Sequence, residues 1–289
     1  MRVIPESELI INADGSAFHL HLKPEQLADR VVLVGDPDRV STVASYFDTQ
    51  ECEVSSREFH SITGTYKGKR ITVVSHGIGT DNIDIVLNEL DALANIDFST
   101  RTVKPAFKQL TLVRVGTSGG LQPFVPVGTY VAAEKSIGFD GVIYFYANTK
   151  RVRDIAFETA LKEQLYWKLS GLSPYVVPAD HSLIEQITGN DIIRGVTIAA
   201  NGFYGPQGRE LRLPLADPKL NEKIEAFNYN GRQITNFEME SSSLAGLAAL
   251  MGHRAMTVCC IIAGRVDKNM NTNYKGSLTG LIETVLERI

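Results

Sequence analysis

Four short apolar runs, each closed by glycine and three of them leading into helical patterns, constrain this chain more than any other feature. Val31 to Val34 ends at Gly35-Asp36-Pro37, and Ile71 to Ser75 ends at Gly77-Ile78-Gly79. Leu112 to Val115 runs into Gly116-Thr117-Ser118-Gly119-Gly120, and Val258 to Ala263 ends at Gly264. Continuous β-branched runs of this length suit strands buried on both faces of a sheet. Between them, Ile83, Leu87, Leu90 and Ala94 recur at helical spacing with Asp84, Asn88 and Asp91 on the other face. Asp81 stands where an N-cap is useful. Ser241 to Met251 has the small-residue content of a closely packed internal helix, and Ile282 to Ile289 reads as a final amphipathic helix. The expected fold is α/β, with strands and helices interleaved around a largely parallel or mixed sheet.

No internal repeat, low-complexity tract or Pro/Gly/Ser linker divides the chain, so residues 1–289 are expected to form a single domain. The polar stretch from Asp97 to Lys108, with three cations and Pro105, reads as a surface excursion between a helix and the Leu112 strand. A net charge of −4 argues against broad binding to nucleic acid or acidic membrane, but not against a small cationic pocket. Cys52, Cys259 and Cys260 are odd in number and include an adjacent pair in an apolar run. They do not form a disulfide framework, and the pair reads as small buried hydrophobes. No secretory signal or bilayer-length apolar run is evident, and a reducing cytoplasm is the expected location.

Ligands of open α/β sheets bind beyond the carboxyl ends of the strands. Three glycine turns fall at such ends, and glycine lets backbone N–H groups approach an oxyanion. Arg39 follows Gly35 by four residues, Arg57 precedes Glu58-Phe59, and Arg114 lies inside an apolar run. A charge in such a run must be paired or liganded. Arg114 is therefore either an anion ligand or half of a buried ion pair. Guanidinium forks match phosphate oxygens, and two or three around a glycine turn make a phosphate site without a Walker-type motif. Glu238 and Glu240 open a helix, where carboxylates either cap or grip vicinal hydroxyls. In Phe203-Tyr204-Gly205-Pro206-Gln207-Gly208-Arg209 an aromatic face, an amide and a guanidinium lie close together, as either a solvated loop or a reader of a planar carbonyl-bearing ring.

Taken in order, Phe18-His19-Leu20, Gly35-Asp36-Pro37-Asp38-Arg39, Arg57-Glu58-Phe59, Gly77-Ile78-Gly79, Arg114-Val115-Gly116-Thr117-Ser118-Gly119 and Glu238-Met239-Glu240-Ser241 resemble the nucleoside phosphorylase family. That family includes uridine phosphorylases and hexameric bacterial purine nucleoside phosphorylases. The resemblance spans residue 18 to the C-terminal helix and implies a single-domain, three-layer α/β/α fold around a central mixed sheet.

The resemblance also implies roles. Gly35, Arg39, Arg57, Arg114 and Thr117 would hold phosphate. His19, Met239 and Glu240 would hold ribose, with His19 and Arg57 supplied by a neighbouring subunit. The other histidines receive no role. A Gln-x-Arg pair reads uracil in the uridine enzymes, and Gln207-Gly208-Arg209 matches it, with Phe203 and Ile262 enclosing the base. Purine enzymes carry an aspartate near the end of the strand matching Val258 to Ala263. Here that stretch reads Ile262-Ala263-Gly264-Arg265, and Asp267 lies further on. The implied activity is reversible phosphorolysis of uridine by a pentosyltransferase in pyrimidine nucleoside salvage, with catalysis by Arg114, Glu240 and Arg209. The alternative is a purine or mixed-specificity nucleoside phosphorylase. Inorganic phosphate is the co-substrate, and no organic cofactor or metal is required. Glu58 is a candidate ligand for a potassium ion between subunits, although Asn82 stands where such relatives have serine. A homo-oligomer is implied, with a dimer as the smallest active unit and a hexamer as the larger form.

Overall fold

A computed structural model describes residues 2–264, residues 269 and 270, and residues 274–289. In the first half, the strands are β1 (Arg30–Val34), β2 (Thr49–Ser56), β3 (Phe59–Tyr66), β4 (Lys69–Ser75), β5 (Ile96–Asp97), β6 (Thr102–Val103) and β7 (Thr111–Gly120). Helices α1 (Pro37–Ala44) and α2 (Thr80–Asn95) lie between them. The second half contains β8 (Tyr130–Gly138), α3 (Ile155–Gln164), β9 (Tyr175–Pro178), α4 (His181–Ile187), β10 (Ile192–Ala199) and α5 (Leu220–Ala226). It ends with β11 (Ile234–Glu238), α6 (Ser241–Met251), β12 (Arg254–Gly264), β13 (Asn269–Met270) and α7 (Lys275–Arg288).

Alternation along the buried strands builds the layers. Val32 and Val34 of β1, with Val113 and Val115 of β7, pack with α1, α4 and α7. Val31, Leu33 and Leu112 pack with α2 and α6. Successive strand residues point to opposite faces, so a continuous apolar run serves two cores at once. The sheet is mixed: β1 is parallel to β4 and β7, whereas β3 is antiparallel to β2 and β4. It also closes on itself, because β7 pairs with both β11 and β12 and the path β12-β8-β10-β11 returns to β7.

Two local expectations need correction. Gly116 to Gly120 is not a turn. β7 continues through Gly120, parallel to β12 as far as Gly264. Neighbours on the sheet supply the backbone bonds that local glycine content alone would leave to a loop. Helix α2 starts at Thr80 with Gly79 as N-cap, so Asp81 lies in its first turn, where an acid still favours the dipole.

The excursion after α2 is anchored. Ile4 and Arg101 exchange backbone and side-chain bonds, Lys104 Nζ donates to the Ala94 carbonyl at 2.9 Å, and Phe107 stacks on His253. All three cysteines are free, with Cys259 and Cys260 buried. No helix among the described residues is long and apolar enough to cross a membrane.

Candidate active site

The sheet opens on one edge of β7. Pairing with β1 stops at Val115, and pairing with β11 begins only at Gly119. Among the described residues no strand covers Gly116 to Ser118 on that edge, which lies beside Gly35 at the end of β1. Backbone N–H groups at such a gap are free to meet an anion.

Arg114 shares its face of β7 with Leu112 and so points toward α2 and α6. It is 4% exposed. Its Nη1 lies 3.0 Å from Glu238, its Nη2 contacts Glu240, and its Nε donates to His76 Nε2 at 3.1 Å. The buried ion pair left open by the sequence is therefore present, and the carboxylates come from the end of β11 and the N-cap of α6. Burial works against the Arg114 charge, but Glu240 and Glu238 outweigh it and hold the cation above its ordinary range. Glu238 is also the capping acid of α6, accepting from the backbone N–H groups of Glu240 and Ser241 and from the Ser241 hydroxyl. Glu240 accepts from Gly79 N at 2.7 Å, and each of its oxygens keeps a second acceptor position for a ligand.

Arg39 completes the arrangement. Its side chain makes a single hydrogen bond among the described residues, Nη1 to the Val115 carbonyl at 3.3 Å, and no ion pair. Burial, and then the nearby Arg114 cation, depress its pKa. Two neighbouring cations, one without a carboxylate of its own, call for an anion. Thr117, half-buried, sits beside them on β7 opposite Cys260. Cys259, whose thiol is pushed up to about 12 by burial, underlies Arg114 as a neutral group.

Glycine at 116 is a steric requirement. A Cβ there would fall 2.6 Å from Arg114 Nη1 and 3.0 Å from Cζ. The guanidinium is pinned by three partners and cannot swing aside freely. We expect Gly116→Ala to lower kcat/KM roughly 10²-fold through misplacement of Arg114. Steady-state kinetics together with a melting curve check this, and an unchanged kcat/KM contradicts it.

The loop carrying Phe203, Gln207 and Arg209 follows β10 next to β11, where Ala199 pairs with Glu238 and Ala200 N donates to the Glu238 carbonyl. Within it, Arg209 stacks 3.8 Å over the Phe203 ring, and its Nη1 donates to Gln207 Oε1 at 2.6 Å and to the Phe203 carbonyl at 2.5 Å. Gln207 is buried, Phe203 exposed and Met239 half-buried. Ile262 occupies the register shift of β12 between the partners of Ser118 and Gly119. A bulge of this kind re-aims a side chain. Asp267 lies outside the described residues.

Two expected ligands stand apart in a single chain. Arg57 sits exposed in the β2–β3 turn with φ 57° and makes no hydrogen bond or ion pair among the described residues. His19 is held elsewhere, its Nδ1 2.6 Å from Glu89, which also accepts from His19 N and Leu20 N. A cavity of about 720 Å³ flanked by Tyr204, Leu213 and Leu220 shares Arg209 alone with the expected site residues. It is not the place where the arginines converge.

Sequence reading missed His76. Its one signal was a histidine at the end of a buried strand, next to a glycine turn. The ring is fully buried, and its pKa is held well below the ordinary value by burial and then by Arg114 and Arg39, with the Gly77 and His76 backbone pulling weakly the other way. The unfolded chain takes up a proton below about pH 6.5 that the folded protein refuses. Stability therefore falls as pH drops through that value, by up to about 1.4 kcal/mol per pH unit from this group. Denaturant midpoints measured from about pH 7 down to about pH 5, compared with His76→Gln, check it. The wild-type protein should lose more.

The Phosphorylase superfamily model matches residues 29–286. The uridine phosphorylase of Thermococcus kodakarensis is 31% identical over 88% of this chain and 79% of that protein. A DeoD-type purine nucleoside phosphorylase of Aliivibrio fischeri is 26% identical over 84% of each chain. The crystal structure of a Trypanosoma brucei nucleoside phosphorylase, described as showing uridine phosphorylase activity, superposes with a TM-score of 0.88. It is 30% identical, over 97% of this chain and 98% of that one. With the match running from before β1 into α7, and the arginine cluster lying inside it, this chain belongs to the phosphorylase superfamily.

Proposed function

We propose that the chain is a uridine phosphorylase, converting uridine and inorganic phosphate reversibly into uracil and α-D-ribose 1-phosphate. The observation that carries this reading is the pairing of Arg39, which lacks a carboxylate, with Arg114, which is pinned by two, at a gap in the sheet. Phosphate sits there against Gly35, Arg39, Arg114 and Thr117. Glu240 accepts from the ribose hydroxyls while its charge stays fixed by Arg114, and Met239 packs beneath the sugar.

As the C1′–N1 bond breaks, its electron pair leaves with uracil and the ribose becomes oxocarbenium-like. A phosphate oxygen then bonds to C1′. Arg209 and Gln207 stabilise the negative charge on the uracil carbonyls, an electrostatic assistance set in place before the reaction. Phe203 and Ile262 exclude water. Phosphate is itself the nucleophile, so no second carboxylate is needed.

Arg57 and His19 reach the site from a second copy, making a homodimer the smallest active unit, with hexamers built from dimers. Residues 1–289 act as one catalytic domain in the cytoplasm, with no nucleic-acid or membrane partner. Glu58 is exposed beside Gly77 and Asn82. One carboxylate and one amide do not make a cation site by themselves, and no step passes through potassium.

The test is uracil release from uridine with and without phosphate, with thymidine and inosine as comparisons. Phosphate-dependent cleavage of uridine supports the reading. Preference for inosine favours the purine alternative seen in the DeoD-type relative, and phosphate-independent cleavage indicates a hydrolase.

A further inference from the structure

His76 is fully buried at the point where β4 turns toward α2, and its backbone N–H donates to the Val34 carbonyl at 2.8 Å. The ring lies against Gly35, where an added Cβ would come 3.7 Å from His76 Cε1. It thus touches the end of β1 and the guanidinium of β7 at once.

The chemistry of the contact assigns the tautomer. Arginine has donors only, so the His76 nitrogen it meets at 3.1 Å is an acceptor. His76 is therefore neutral with its proton on Nδ1, and Nδ1 makes no hydrogen bond among the described residues. Charge explains why a neutral acceptor stands at this place. Glu238 and Glu240 already give Arg114 two negative partners. A third carboxylate would repel phosphate, and a cation would repel Arg114. A neutral acceptor at Nε fixes the plane of the guanidinium and changes the field at the anion site little.

We propose that His76 is a positioning residue that holds Arg114 by its Nε edge, so that the remaining Nη hydrogens face phosphate. This rests on the phosphorylase reading above. His76→Leu removes the acceptor. His76→Gln restores a neutral one through its amide oxygen.

With the purified protein, His76→Leu should raise KM for phosphate roughly tenfold or more and lower kcat. KM for uridine should stay within roughly twofold, and His76→Gln should recover most of the loss. An unchanged phosphate KM in folded His76→Leu, or a folded His76→Gln no better than Leu, overturns the proposal. Should His76→Leu fail to fold, ¹⁵N-histidine NMR of the wild-type protein, assigned by the resonance missing from His76→Gln, reads the tautomer directly. A proton on Nδ1 supports the proposal, and a proton on Nε2 overturns it. The NMR result stands whether or not the protein cleaves uridine. Absent phosphorolysis in the wild type therefore defeats the functional reading separately.

Discussion

Arg114→Ala abolishes measurable phosphorolysis and destabilises the fold: this is the largest effect expected of any single substitution. In the proposed site Arg114 supplies fixed donors to the anion, and losing one preorganised donor alone lowers kcat about 10²–10³-fold. Removal also strands Glu238 and Glu240, two buried carboxylates whose cation is gone. Breaking a buried pair in this way costs about 3–5 kcal/mol. Activity and folding must therefore be separated. Arg114→Lys keeps the charge but offers one ammonium where a fork meets His76, Glu238 and Glu240 from different sides. It should retain most of the stability and still lose most of the turnover. Kinetics at saturating phosphate and thermal unfolding on both variants decide the matter, and wild-type turnover in folded Arg114→Lys removes Arg114 from the site.

Arg209→Ala is expected to cost roughly 10²–10³-fold in kcat/KM on uridine, with a much smaller loss on inosine. The side chain is already arranged for the proposed role. It stacks on Phe203 and is tied to Gln207 Oε1 and to the Phe203 carbonyl. Burial depresses its pKa, so a carbonyl acquiring negative charge beside it would meet a partly desolvated cation. Arg209 is half-buried and makes no ion pair among the described residues, so its removal should leave the melting temperature nearly unchanged. Equal fractional losses on uridine and inosine would refute its assignment to the uracil edge.

The two arginines differ in how the protein supports them. Arg114 is embedded, pinned by residues at the ends of β4 and β11 and at the N-cap of α6, and depends on glycine at 116 for its space. Arg209 is held by its own loop. Substitutions around Arg114 should disturb activity and folding together, whereas those around Arg209 should mainly change substrate preference. Binding energy at an embedded site is prepared during folding, which lowers the cost of ordering it at each turnover.

Local pattern and chemistry determined much of this protein from the sequence. The four apolar runs became β1, β4, β7 and β12 because uninterrupted β-branched residues satisfy two faces of a covered sheet. The small-residue stretch became α6 with its expected bounds. The ordered motifs carried the family, and the charge inside an apolar run marked Arg114 as needing a partner or ligand.

Tertiary structure decided the rest, through contacts between residues far apart in the chain. Gly116 to Gly120 lies in a strand because β12 and β11 come alongside it. Glu238 and Glu240 pair with Arg114 across more than a hundred residues of chain, and His76 became its third partner. Spacing and periodicity report on neighbours within a turn or a strand. Which buried charges meet depends on sheet order and register, and no local pattern carries that information.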